Sequence, residues 1–368
     1  LEDGLRLDFT RLRQARGGIH SGVWSDLVVY VEKEDAWRPV HESRYNLSSI
    51  TTRRELSKFL CDRLNLPMGQ DVADVLRRVD AACSAVCRSM RAGREPTCLA
   101  SKQDPGPVCY VLEKLVQDSQ LNVLYGEKGS GKSQLALAVA YAVQDDICLL
   151  GLETKKKAVL YLDWETGEDE QTRRLHSMAR GLDSPYIPEV DYLDMERPLA
   201  DDVDWLKPRA EGRLVIIDSL VPACGGDARE ESATAFWHAC RALHATIFCV
   251  AQTQKNEQPV KRKKTVFGSG LFEYAARSIW YVRGHQEADD PEMDIILSHE
   301  KNNNGPRYRP LSWHISFAAN ATAFRQQDPK AVAEFAAVMP VKDRIAGTLH
   351  GGARTVADIA TELDLSAD

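Results

Sequence analysis

The stretch LYGEKGSGKSQLAL, residues 124–137, constrains the chain more than any other. An apolar run (LNVLY) ends in Gly126, and five residues on a Gly-Lys-Ser sequence opens the apolar-periodic run SQLALAVAYAVQ. The pattern is G-x-x-x-x-G-K-[ST], a loop between a strand and a helix. Glycines let such a backbone curl until its N–H groups point inward at phosphate oxygens, and the helix start adds partial positive charge. A nucleotide is therefore expected on Gly126, Glu127, Lys128, Gly129, Ser130, Gly131, Lys132, Ser133 and Gln134. Lys132 would reach the β- and γ-phosphates, and the Ser133 hydroxyl would ligate Mg²⁺.

The surrounding pattern sets the fold class. From about residue 105, apolar runs alternate with helical periodicity. Strands are expected at 121–125, 146–150, 158–163, 213–218, 246–251, 279–283 and 293–299, and helices at 132–144, 168–181 and 229–244. Short all-apolar strands such as LVIID suit a mostly parallel sheet covered by helices on both faces, an α/β core. Residues 1–104 read as a small α+β unit: SDLVVYVE and AWRPVHESRYNL as strands, then helices from about 50 and over 71–92, the first capped by Ser49 or Thr51. The Gly- and Pro-rich segments RAGREPTC and KQDPGP mark a linker. Three parts follow: 1–104, 105–328 and a helical 329–368. In the last, Ile345, Leu349, Val356, Ile359, Ala360 and Leu363 are expected on one apolar face, and TVADIATELDLS resembles the start of a helix-turn-helix, with a helical cap as the alternative.

Composition excludes several classes. In 368 residues, 43% are hydrophobic and 27% charged, and the net charge is −7, which argues against a protein that coats nucleic acid wholesale but leaves room for a local basic site. No window approaches the ~18 apolar residues of a membrane span, and the first residues carry no apolar signal core. A cytosolic setting is the expectation. The nine cysteines include no C-x-x-C pair, so Cys83 and Cys87 read as reduced thiols on a helix rather than zinc ligands.

Phosphoryl transfer needs a carboxylate on a neighbouring strand to hold the metal, and RLVIIDS supplies Asp218. It also needs a base for the attacking water. AVLYLDWETGEDE ends its apolar run in Asp163-Trp-Glu165, and both acids compete for that task because strand alternation does not separate positions i and i+2. No Asn/Thr-Lys-x-Asp guanine-reading sequence follows, so ATP is the expected nucleotide.

The order of these motifs resembles the RecA-like P-loop ATPases, and among them most the hexameric replicative DNA helicases of the plasmid RepA type. LYLDWE resembles that family's catalytic-glutamate strand, which implies Glu165 over Asp163. VAQTQK resembles its sensor strand end, with Gln252 where a His is usual. GSGLFEYAARSIWYV resembles the segment carrying an arginine finger, which implies Arg277, and HEKNNNGPRYRPLSW resembles a Lys-x-Asn-x-Gly turn at Lys301, Asn303 and Gly305. The resemblance covers about 105–320. It implies a ring of six copies in which Arg277 and Lys301 act on a neighbour's nucleotide. The bland alternatives are a surface charge for Arg277 and an ordinary turn residue for Lys301.

Directly after the sensor strand, QKNEQPVKRKKTVFGSG carries Lys261, Arg262, Lys263 and Lys264. In RecA-like rings the loop at this place faces the channel, where cations contact single-stranded DNA through phosphates without reading sequence. VPACGGDAREES is a second, acidic loop candidate, and the Lys155–Lys157 run reads as a solvated turn. The expected function is an ATP-hydrolysing motor on single-stranded DNA. Alternatives are a filament-forming recombination or repair ATPase and a nucleotide-switched DNA-binding regulator. The N-terminal unit shows no catalytic constellation and is a candidate site for a primase, a loader or a ring neighbour.

Overall fold

The computed structural model describes residues 5–15, 22–33, 36–63, 70–92, 96–226, 229–253, 271–317, 320–329 and 352–362, with isolated positions from 332 to 349. Contacts divide the chain into Leu1–Pro105 and Gly106–Asp368. Among the described residues, no helix is long and apolar enough to cross a membrane.

The first unit is a three-stranded antiparallel sheet, β1 (Leu5–Ala15), β2 (Gly22–Lys33) and β3 (Ala36–Asn46), followed by α1 (Ile50–Arg63) and α2 (Gln70–Ala92). The strand preceding SDLVVYVE was not expected, since its alternation is interrupted by charge. On β2, Val23, Leu27 and Val29 are buried, and on α2 Val79, Cys83 and Cys87 recur at i, i+4, i+8, so both elements offer one apolar face to a common core. Burial pushes the Cys83 thiol up to about 11, so it behaves as a small hydrophobe. Ser49 caps α1, accepting from the Thr52 N–H at 3.3 Å. Arg53 joins the two helices, bonding Leu47 O at 2.7 Å and Ser84 Oγ at 3.1 Å.

The second unit opens with a two-stranded hairpin, β4 (Tyr110–Leu112) and β5 (Val116–Gln117). In chain order come β6 (Leu121–Gly126), α3 (Lys132–Asp145), β7 (Val159–Asp163), α4 (Glu168–Gly181), β8 (Asp191–Asp194) and α5 (Leu199–Ala210). Then follow β9 (Leu214–Asp218), α6 (Leu220–Ala223), α7 (Glu230–Ala242), β10 (Thr246–Gln252), α8 (Leu271–Ala275) and β11 (Ser278–His285). The antiparallel strands β12 (Glu292–Asn302), β13 (Leu311–Ser316) and β14 (Ala323–Gln327) complete the sheet, and α9 (Val356–Glu362) lies further on.

These strands form one nine-stranded sheet in the order β14-β13-β12-β11-β6-β10-β9-β7-β8, parallel from β11 to β8. Alternation along β9 shows the layering. Leu214 and Ile216 enter the core shared with α3, whereas Val215 and Ile217 enter the core shared with α5 and α7. The fold is an α/β core, a mostly parallel sheet with helices on both faces. Strand β6 is flanked by β10 and β11, while the chain leaves it for the distant β7. The strand C-termini beside β6 thus open a crevice at a topological switch point.

Several expectations are corrected. Residues 146–150 form turns and bends, not a strand. Leu149 and Leu150 are buried, and the Leu150 carbonyl accepts from Trp313 Nε1 at 2.8 Å, so this apolar run plugs the core beside β13. The strands β8, β13 and β14 and the helix α5 were not foreseen. Lys157 is not a solvated turn residue: it pairs with Asp118 and bonds Thr246 Oγ1 at 3.1 Å. The expected C-terminal apolar face does not hold together, because Ile359 and Ala360 are buried while Val356 is 72% exposed; Leu363 lies outside the described residues. Thr355 caps α9, exchanging bonds with the N–H (3.2 Å) and carboxylate (2.7 Å) of Asp358.

Candidate nucleotide site

The loop leaving β6 is shaped by its glycines. Gly129 and Gly131 adopt φ of +77° and +80°, which other residues enter only with strain. Gly126 is required for a different reason: a Cβ there would lie 2.4 Å from the Val282 carbonyl oxygen of β11. Lys132 begins α3 with its side chain curled into the loop, its Nζ donating to the carbonyls of Gly126 (3.1 Å) and Glu127. Burial pulls the Lys132 pKa down, opposed by the nearby Asp218 and Glu165 carboxylates.

Asp218, at the end of β9, is 1% exposed. Its Oδ2 accepts from the Tyr161 hydroxyl at 2.8 Å, and the Ser133 hydroxyl is hydrogen-bonded to it as well. Burial pushes its carboxyl up to about 6, with Asp163 and Glu165 adding to the rise and the two hydrogen bonds opposing it. The next peptide, Asp218–Ser219, is cis.

Asp163 and Glu165 differ in what each carboxylate already holds. Asp163 is fully buried and accepts the N–H groups of Glu165 (2.9 Å) and Thr166 (3.1 Å), Gln171 Nε2 (2.9 Å) and the Tyr192 hydroxyl (3.3 Å). It is a structural knot tying the end of β7 to α4. Glu165 is exposed, lines the cleft and accepts a bond from the Ser219 hydroxyl. Gln252 ends β10 opposite Gly126, also on the cleft, and the Thr253 N–H donates to Gly126 O at 3.2 Å. The loop, Lys132, Ser133, Asp218, Glu165 and Gln252 thus converge on one cleft of about 300 Å³.

The cleft fits a nucleotide with Mg²⁺. Two buried polar atoms on its lining residues, Gln134 Oε1 and Arg174 Nη1, have no protein partner, as a site completed by a ligand would leave them. Mg²⁺ takes one or two carboxylates with substrate phosphates and water, which matches Ser133 beside Asp218. Sequence reasoning missed Arg174, Ser219, Gln171 and Tyr161. Gln171 and Arg174 share a helical face at i, i+3, but that face is polar and carries no apolar signature.

Arg277 and Lys301 are brought together elsewhere. Arg277 precedes Ser278, which pairs with Asn122 at the start of β6, whereas Val282 pairs with Gly126. At strand rise, Arg277 is about 16 Å from the loop. It is exposed, and its N–H donates to Leu121 O at 2.9 Å. Lys301 donates to the Glu273 (2.5 Å) and Tyr274 (3.2 Å) carbonyls of α8; burial and Arg277 hold its pKa below the usual lysine value, with Glu273 opposing. Asn302, rather than Asn303, knits the following turn through Gln117 and the Asn304 N–H. Lys261, Arg262, Lys263 and Lys264 lie outside the described residues.

Residues 88–258 match a family model described as AAA domain. That span holds every residue of the cleft except Met293, and ends before Arg277 and Lys301. Among solved structures, the flagellar accessory protein FlaH from Methanocaldococcus jannaschii is similar at 15% identity and a TM-score of 0.40, covering 58% of this chain and 91% of that one. A KaiC-like protein from Pyrococcus horikoshii OT3 is similar at 12% identity and a TM-score of 0.40, covering 58% and 93%. No curated protein matches the chain.

Proposed function

We propose that this protein is an ATP-hydrolysing motor on single-stranded DNA, a helicase-like ring of six copies whose hydrolytic sites lie between neighbours. The observation that carries the reading is the pairing of one cleft with a distant pair of cations. Lys132, Ser133, Asp218, Glu165 and Gln252 supply a phosphate cradle, a metal-side carboxylate, a base and a polar sensor. Arg277 and Lys301 stand together at the other end of the sheet, beyond reach of their own loop. A neighbouring copy would complete the site with them, since a cation stabilises the charge that spreads over the transferred phosphoryl oxygens.

Mg²⁺, which Ser133 and Asp218 would hold, would supply charge neutralisation for the phosphates. The chain's own groups do the rest. Glu165 orients and deprotonates the attacking water, and Ser219 fixes its carboxylate. Gln252 donates to the terminal phosphate, and residues 254–270, which carry Lys261–Lys264, follow it directly in sequence, so the two would be coupled through the chain. ATPase assays with and without a poly-dT strand test this. Replacing Lys261–Lys264 by alanine is expected to abolish stimulation and leave ATP binding intact, and Lys132→Ala to abolish hydrolysis. Undiminished stimulation in the first variant refutes Lys261–Lys264 as the DNA contact, and no stimulation of the wild type refutes the DNA assignment itself; strand displacement distinguishes a helicase from a filament-forming ATPase.

A further inference from the structure

Behind the Arg277–Lys301 pair lies a buried polar hub that no motif announces. Gln117, at the end of β5, is fully buried, yet both ends of its side-chain amide are bonded. Its Nε2 donates to Asn302 Oδ1 at 2.8 Å and to the Tyr110 hydroxyl at 3.3 Å, and its Oε1 accepts from Asn304 Nδ2 at 2.9 Å. Asn302 Oδ1 also accepts the Asn304 N–H at 3.1 Å. One amide thus clamps both sides of Asn303, whose N–H donates to the Arg277 carbonyl at 2.9 Å. Lys301 immediately precedes the clamped turn, and Ser278, which follows Arg277, pairs with Asn302 across β11 and β12.

The same hub reaches Arg277 from its other side. The Tyr110 hydroxyl accepts from the Tyr308 hydroxyl at 3.1 Å, and the Tyr308 ring stacks on His299 (5.4 Å, 4°), which stacks in turn on Trp280 (4.1 Å, 1°). His299 Nδ1 accepts the Tyr308 N–H at 3.1 Å, so Nε2 carries the proton and donates to the Ser278 hydroxyl at 3.1 Å. Burial pulls the His299 pKa down to about 4, which keeps the ring neutral and this arrangement intact at ordinary pH. Directed bonds therefore fix Arg277 through its own carbonyl and through the residue after it. A hydrocarbon in place of Gln117 would hold the turn by packing alone, whereas the satisfied amide specifies where the turn sits.

Resting on the reading above that Arg277 and Lys301 serve a neighbouring copy, we propose that Gln117 is a positioning residue for these two cations. It sets the backbone from which they reach the neighbour's nucleotide and does not touch that nucleotide itself. ATPase assays on the full chain with Mg²⁺, run on single variants and on equal mixtures, test this. Gln117→Leu keeps the side chain's bulk, and the Asn304 amide it releases belongs to an exposed turn and can turn to water. It is expected to lower kcat by about ten- to a hundredfold, the cost of a small misplacement, with the KM for ATP unchanged. Asn304→Ala, which removes one bond of the clamp, is expected to lower kcat by less. Mixed with Lys132→Ala, Gln117→Leu should recover about one quarter of wild-type activity, because its own cleft is intact. Mixed with Arg277→Ala it should recover nothing, because both variants lack the same half of the site. A wild-type kcat in Gln117→Leu, a loss of ATP affinity that accounts for its lost activity, or recovery with Arg277→Ala overturns the proposal. Should Gln117→Leu fail to fold, a wild-type kcat in Asn304→Ala overturns it equally. The mixture of Lys132→Ala with Arg277→Ala is the separate arm: no recovery there refutes the inter-copy reading itself rather than the part given to Gln117.

Discussion

The two acids of Asp163-Trp-Glu165 show how environment separates side chains that residue type leaves alike. Asp163 spends both carboxylate oxygens on four donors, while Glu165 keeps its carboxylate toward the cleft. Asp218 lies between these extremes, buried with two hydroxyl donors and a carboxyl pushed up to about 6. A raised pKa means the native state holds the proton more tightly than the unfolded chain. The stabilisation from the neutral form is full below the unfolded value near 3.8 and is lost as pH rises through 6. Keeping Asp218 ionised in the nucleotide-free cleft at pH 7.5 thus costs up to about 3 kcal/mol. Asp218→Asn is expected to melt above the wild type at pH 7.5 without nucleotide, with the gap narrowing below pH 6 and closing near pH 4. Thermal melts across that range check it, and a pH-independent gap contradicts it. Mg²⁺·ATP should reverse the order, because the metal repays ionisation only in the wild type.

At the scale of elements, legibility followed burial. The runs at β6, β7 and β9 are apolar because helices cover both faces, and that signal is visible in sequence. The edge strand β8, two half-buried residues between two exposed aspartates, gives no such signal, and the apolar run 146–150 gives a false one because packing beneath β13 also selects leucine. Site residues divide in the same way. Lys132, Ser133 and Asp218 follow from motif chemistry, Glu165 and Gln252 needed the resemblance, and Arg174 needed the position of α4 in space. The loop glycines make a further point at this scale, since identical motif letters carry different loads. A methyl at Gly126 meets the β11 backbone, whereas one at Gly129 meets nothing and only strains φ. Gly126→Ala is expected to cost about 1–3 kcal/mol by forcing β6 and β11 apart, and Gly129→Ala about 1–2 kcal/mol through the left-handed backbone alone. Urea denaturation ranks them on stability, and nucleotide titration should show that Gly126→Ala also shifts the loop.

For the whole molecule, the separation of Arg277 and Lys301 from the cleft becomes a statement about assembly. A strand links the two places, so the distance between them is fixed by β6 and β11 and not by a movable loop. Each copy in a head-to-tail arrangement would offer its cleft to one neighbour and its cations to the other, a heterologous interface that closes into a ring if the rotation allows. Such an arrangement predicts complementation. Lys132→Ala removes the cradle and keeps Arg277, while Arg277→Ala does the opposite, so each variant alone should be inactive. In an equal mixture, about one quarter of random heterologous interfaces would join an intact cleft to an intact Arg277. ATPase activity should therefore return to about that fraction of wild type when the two are mixed under assembly conditions. A site complete within one chain gives a different result: Arg277→Ala retains activity by itself, and mixing adds nothing beyond dilution.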